Sequence, residues 1–263
     1  MSSILHTNIS SISKNLENIE ILLENLDHKF DIIGLSETWH DGNNDNRIKQ
    51  LNIEGFHNYV GQIGTNSKGG CGFLVAEKLS FSVRSDLNKT YQDQSCEFEA
   101  FWIEVENKTK ANSIFGVIYN HPRSNTSAFL DYLQSVFIKI NKENKLVFIC
   151  GDFNLNLLKT DVLPNVDSFL NLMISNFFQP LILKPTRFND RSAPTLIDNI
   201  FMNSIDPLTI SGNLIDKVSD HLPNFVVFGN KLNKENNDSK TMYRDYRKFN
   251  KDSYIQEAEQ INF

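Results

Sequence analysis

Cysteine is scarce in this chain, with Cys71, Cys96 and Cys150 the three present among 263 residues. They cannot all pair, and none stands in a C-x-x-C spacing, so reduced thiols inside a cell are expected. Long apolar runs are missing as well. The longest pure ones, such as Leu146 to Cys150, are strand-sized, against the roughly 20 residues that cross a bilayer. Residues 1–15 lack the basic and apolar regions of a secretory signal, and no G-x-S-x-G nucleophile elbow occurs. Positive charge is not in excess either, since 26 Lys and Arg face 32 Asp and Glu for a net charge of −6. That balance counts mildly against a surface made to grip a nucleic-acid backbone. Part of it is offset if some of the acids hold a divalent cation. The absences together predict an intracellular protein that is neither secreted nor membrane-spanning.

What is present suits a globular core, with 40% hydrophobic and 22% charged residues. Short runs rich in Val, Ile and Phe read as strands at Ile4–Leu5, Asp31–Ser36, Gly72–Ala76, Phe98–Val105, Ile114–Tyr119, Leu146–Cys150 and Phe225–Phe228. Helical spacing links Ile12, Leu16, Ile19, Leu23 and Leu26, and again Phe129, Leu133, Val136 and Ile140. A third helix is predicted from about Asn165, with Val166, Phe169, Leu170, Met173 and Phe177 on its apolar face. The alternation predicts an α/β layered fold with helices outside packed sheets. Phe98–Val105 is apolar on both faces, as a strand between two layers would be, and 20 phenylalanines could fill such a core. No internal repeat is visible. From Lys231 to Lys240 the sequence KLNKENNDSK is too polar to order itself and reads as a linker. The expected division is therefore a domain over 1–229 and a linker with the start of a connector over 230–263.

Polar residues gather at the predicted strand ends. Gly151-Asp152-Phe153-Asn154 follows a buried run and puts Asp152 and Asn154 on one side of a strand end, although Asp and Asn close ordinary turns too. Ser219-Asp220-His221 precedes the last strand; neighbours on an extended chain point apart, so these three cannot relay a proton among themselves. Glu37 closes the run Asp31–Leu35, where an acid is costly unless paired or bound to a cation. Asp198 enters the run Asn199–Phe201, and Asn8 and Tyr119 each close a strand. Singly, each reads as well as a turn or loop residue. As a set they predict an oxygen-rich cluster with one imidazole, which suits magnesium or manganese better than zinc. A hard cation, a carboxylate to position water and a histidine to meet developing charge are what phosphodiester hydrolysis requires.

With these residues in order, the sequence resembles the endonuclease/exonuclease/phosphatase superfamily. The matching stretches are Asn8, SETW around Glu37, Tyr119, GDFN at Asp152 and Asn154, TLID at Asp198, and SDH at Asp220 and His221. The wording DIIGLSETW, KGGCGFLV, GDFNLNLL, PTRF and TLIDNIF is most similar to the apurinic-type endonuclease domain of non-LTR (LINE-like, jockey-like) retrotransposons. The tail YRDYRKFN at Tyr243–Asn250 is similar to the connector that leads to a reverse transcriptase in such elements. The resemblance implies a four-layer α/β sandwich of two packed, mostly antiparallel sheets flanked by helices, with the site at one edge. It implies that Glu37, helped by Asn8 and Asp220, holds Mg2+ or Mn2+. It further implies that Asp152 positions or deprotonates water, that Asn154 and Tyr119 contact the phosphate, and that His221, oriented by Asp198, stabilises the transition state. The implied substrate is DNA, cut by a monomeric domain once fused to a reverse transcriptase and working in the nucleus.

Three departures stand out. Ser10 takes a position where some relatives carry a second acid, Tyr119 is followed by Asn120 where relatives commonly have Arg, and the first strand begins almost at Met1. Two other functions stay open. The acidic balance fits a phosphoinositide or another small phosphoester as substrate, and the short tail fits an inactive remnant.

Overall fold

The computed structural model describes residues 2–39, 53–62, 69–90, 97–107, 111–122, 124–189, 192–204, 206–216 and 218–229. Cys96, Lys68, Arg191, and the expected linker and connector over 230–263 lie outside the described residues.

The first sheet contains β1 (Ser2–Asn8), β2 (Ile32–Ser36), β3 (Val60–Gly61), β4 (Cys71–Val75), β13 (Ile210–Asn213) and β14 (Asn224–Phe228), in the order β13-β14-β1-β2-β4-β3. The second contains β5 (Phe81–Val83), β6 (Phe98–Val105), β7 (Ser113–Asn120), β8 (Leu146–Asp152), β9 (Gln179–Pro180) and β12 (Asp198–Met202), in the order β5-β6-β7-β8-β12-β9. One plan serves both. At the centre of each sheet a parallel pair, β1 with β2 and β7 with β8, is joined by a helix, and every other pairing is antiparallel. The crossover helices are α1 (Ile12–Glu24) and α2 (Thr126–Ile140). The duplication is invisible in the sequence because each half fills the same plan with different residues.

Alternation along the central strands sorts side chains into three apolar layers. In β1, Ile4 faces the second sheet while Leu5 faces α1. In β8, Phe148 and Cys150 face the first sheet, whereas Val147 and Ile149 pack on α2 and on α3 (Pro164–Ser175). Burying both faces is why these strands read as continuous apolar runs. Phe115 and Phe148 stack between the sheets with ring centroids 5.0 Å apart. The result is the four-layer α/β sandwich of two mostly antiparallel sheets. Among the described residues no helix is long and apolar enough to cross a membrane.

Phe177 departs from expectation. Helix α3 ends at Ser175, and Phe177 takes a left-handed backbone with φ 69 and is 76% exposed. The turn after the helix carries its side chain off the apolar stripe, and Phe178, fully buried, takes the inward place. A small antiparallel hairpin of β10 (Arg187–Asn189) and β11 (Ser192–Thr195) lies outside both sheets.

Candidate active site

The sheets bring their catalytic-type residues to one edge. In the parallel register of β7 and β8, Tyr119 lies beside Asp152, and in the antiparallel register of β8 and β12, Asp152 lies opposite Asp198. Across the gap, β1 ends in Asn8 beside Ser36, and Glu37 follows immediately. Gly151 makes the approach possible, since a Cβ there would stand 2.0 Å from the Ile118 carbonyl oxygen on β7.

Asn8 ties the two sheets together. Its Nδ2 donates to Glu37 Oε1 at 2.8 Å and to Asp152 Oδ2 at 2.9 Å, holding two carboxylates that would otherwise repel. Its Oδ1 accepts from Ser10 N and Ser10 Oγ at 3.1 and 3.2 Å. Glu37 has φ 52, an uncommon backbone for a glutamate and the kind of local strain found at working sites. Its other oxygen accepts from the Trp39 indole at 3.2 Å. Tyr119 is 5% exposed; burial first, then the charges of Glu37 and Asp152, push its phenol well above the usual range.

The imidazole sits on the opposite wall. His221 Nδ1 is 2.8 Å from Asp198 Oδ2, with both side chains buried. Burial alone would lower the pKa of His221, yet the charge and hydrogen bond of Asp198, with Asp152 and Asp220 near, carry it up to about 9. Burial likewise opposes the charge on Asp198, but His221 holds this carboxyl below its ordinary value. Asp152 moves the other way. Burial and the facing charge of Asp198 raise it, outweighing His221 and the Asn8 bond.

Thus Asn8, Glu37, Tyr119, Asp152, Asn154, Asp198 and His221 share one edge. Asp220 stands at its rim, with its carboxylate 48% exposed and 2.9 Å from Arg187 Nε, and its other oxygen 3.9 Å from His221 Nε2. Ser219 does not act as a triad member. Its Oγ donates to Asn8 O at 2.6 Å and accepts from His221 N at 3.1 Å, fastening the histidine loop to β1.

Several contributors escape a reading of the sequence. Buried Thr186 donates to Asp198 Oδ2 at 2.6 Å and accepts from Asp198 N, so it fixes the carboxylate that fixes the histidine. His6, fully buried, lies one inward position below Asn8, bonds Ser36 Oγ at 3.2 Å and is pushed down to about 4 by burial. Its period-two spacing from Asn8 was the available signal. Glu99, beside Tyr119 on β6, accepts from Gly70 N and is raised to about 7 by burial, with Glu37 adding to the shift. Gly69 and Gly70 in turn accept from Trp39 N and Thr38 N.

The donor set fits a divalent cation. Ligand atoms of Asp152, Asp198 and His221 lie within 4.8 Å of one another, and Asp198 Oδ1 is buried without a hydrogen-bond partner. Carboxylates and carboxamides outnumber nitrogen donors, which suits a hard ion.

Comparison with known proteins agrees in fold. The endonuclease domain of TRAS1, a telomere-specific non-LTR retrotransposon, superposes with a TM-score of 0.63 at 14% identity, covering 86% of this chain and 96% of that one. The AP endonuclease LMAP of Leishmania major gives 0.62 at 13% identity, covering 86% of each chain. The 3' phosphatase NExo of Neisseria, bound to a product DNA hairpin, gives 0.61 at 17% identity, covering 87% and 99%. No curated protein matches the chain in sequence. The endonuclease/exonuclease/phosphatase family model matches residues 6–221, most of the chain. The chain therefore belongs to the endonuclease/exonuclease/phosphatase family, whose members hydrolyse phosphoester bonds in a divalent-metal-dependent way.

Proposed function

We propose that this chain is a magnesium-dependent endonuclease that nicks DNA, of the kind carried by non-LTR retrotransposons. The observation that carries the reading is the gathering of Asn8, Glu37, Asp152, Asp198 and His221 at one sheet edge within hydrogen-bonding distance of their neighbours. Support for DNA comes from the nature of the similar proteins, one a retrotransposon endonuclease domain and one bound to a DNA hairpin. It comes also from the hairpin beside the site, which presents the half-exposed Arg187 and the exposed Phe188 next to Asp220 and His221. In this reading the domain works as a monomer on nuclear DNA, and residues 230–263 once led to a reverse transcriptase.

Glu37 would hold the cation, aided by Asn8 and by Asp220 once that carboxylate leaves Arg187. When bound, the ion polarises a phosphoryl oxygen and offsets charge that builds there. The protein's own groups do the rest. Asp152, made more basic by burial and by Asp198, would take a proton from the attacking water in its ionised form, which a cation bound beside it would favour. Asn154 donates to the scissile phosphate. His221, kept charged by Asp198, faces the oxygen on which negative charge grows, and the Tyr119 hydroxyl adds a donor. All of these act on charge present mainly in the transition state, so they raise the rate rather than tighten ground-state binding.

A small phosphoester as substrate is favoured by the net charge of −6 and by the likeness to a 3' phosphatase. Substrate choice decides between the two. With magnesium present, a 5'-labelled duplex oligonucleotide should yield internal breaks, while inositol phosphates and phosphomonoesters should release little phosphate. Phosphate release without internal breaks would overturn the DNA reading.

A further inference from the structure

The turn that carries Asn154 is fastened to the end of β7 by a reciprocal clasp. Asn154 Nδ2 donates to the Asn120 carbonyl at 2.7 Å. In return, Asn120 Nδ2 donates to the Phe153 carbonyl at 2.8 Å. The remaining polar atom of the Asn120 side chain is used as well, since Oδ1 accepts from Ser124 Oγ at 2.6 Å. Asn120 is 2% exposed and its bond to the Phe153 carbonyl is buried, where leaving that donor or acceptor unpaired is costly.

The turn needs such a fastening. Asn154 has φ 50, a left-handed conformation that asparagine tolerates but that no regular ladder enforces. Its backbone N–H donates to Asp152 Oδ1 at 3.0 Å, so a shift of the turn would also move Asp152. Phe153 anchors one end in the core, 5.1 Å from Phe169 by ring centroids. The other end, with Asn154, is held by residue 120.

We infer that Asn120 is a positioning residue for Asn154: aligned by Ser124, its carboxamide pins the Phe153 carbonyl and so sets where Asn154 presents its amide to the phosphate. This rests on the proposed contact of Asn154 with the scissile phosphate. The role needs a donor and an acceptor on one short side chain. Alanine supplies neither, and aspartate would set a carboxylate against the Phe153 carbonyl oxygen. The clasp also couples two segments of the rim, because Ser124 belongs to the loop that leads into α2.

The test is a double-mutant cycle on the full chain, reading kcat/KM for duplex cleavage with magnesium. Asn154→Ala should lower it on the order of a hundredfold or more, as removal of one transition-state donor does. Asn120→Ala should lower it about tenfold to a hundredfold, chiefly in kcat, as a misplacement of about 1 Å does. In the Asn154→Ala background the same change should cost less than about threefold, because the residue acts through a group already gone. Ser124→Ala, at a less buried position, should show the same pattern with a smaller loss, and it carries the test if Asn120→Ala unfolds. Full loss from Asn120→Ala or Ser124→Ala in both backgrounds overturns the inference, and so does a wild-type rate for both beside an impaired Asn154→Ala. A wild-type rate for Asn154→Ala overturns the reading of Asn154 itself, and the inference with it.

Discussion

At the scale of single residues, the site is a set of mutual constraints on charge. His221 and Asp198 stabilise each other's ionised forms in a buried place, while Asp152, facing Asp198 across the strand pair, is driven toward its neutral form. For His221 the protonated form is the charged one, so its contribution to stability is complete below about pH 6.5 and is lost as pH rises through about 9. Activity that needs this charge should follow the same alkaline limb. In Asp198→Asn the limb should move to lower pH, because burial then acts without the compensating carboxylate. Initial rates across pH 6 to 10 check this, and a flat profile in both proteins would contradict it. His221→Ala should cost about 10²–10³-fold in kcat, the range for removing a transition-state stabiliser. These residues were legible in advance only as a set, because singly an acid or amide at the end of an apolar run passes for a turn residue, and it was their order along the chain that joined them. Thr186 and Glu99 were not: a threonine before a hairpin and a glutamate inside a strand look ordinary until their partners, Asp198 and Gly70, are brought near.

At the scale of elements, the central strands place the chemistry. β7 and β8 run in parallel, and Gly151 lets β8 pass close to the Ile118 carbonyl just before Asp152. Gly151→Ala should force the two strands apart, costing about 1–3 kcal/mol by overpacking and lowering the melting temperature by several degrees. It should also reduce kcat more than stability alone explains, since Asp152 moves with the strand. Calorimetry and rates on the same preparation test this, and an unchanged melting point would contradict the tight approach. The strands β1, β2, β4, β6, β7, β8 and β14 were readable because both of their faces are buried or nearly so, which writes them as unbroken apolar runs. β3, β5, β9 and β13 span two to four residues at or near sheet edges, too short for a period to show. The hairpin of β10 and β11 was hidden for the same reason. Phe177 was misplaced because helical spacing continues past Ser175 while the backbone does not.

At the scale of the whole molecule, two sheets of one plan meet so that their carboxylate-bearing ends share an edge. That edge is crowded with acid in a protein of net charge −6. A bound divalent cation should relieve the repulsion and stabilise the fold by about 2.7 kcal/mol at a hundred times its dissociation constant. Thermal unfolding with added magnesium should shift upward in the wild type and hardly at all in Glu37→Gln, and chelator should reverse the shift. An equal shift in both proteins would place the ion elsewhere. The layered fold could be read from alternation and composition, but the duplicated plan could not, since the matching strand-end pairs, Asn8 beside Ser36 and Tyr119 beside Asp152, share no residue type.

Conversion of supercoiled plasmid to the open circle tests the central claim most directly, with wild type, Glu37→Gln and His221→Ala compared in magnesium and in chelator. We expect nicking by the wild type in magnesium alone and its loss in both variants. Undiminished nicking by both variants, or by the wild type in chelator, would contradict a cation-assisted site built from these side chains.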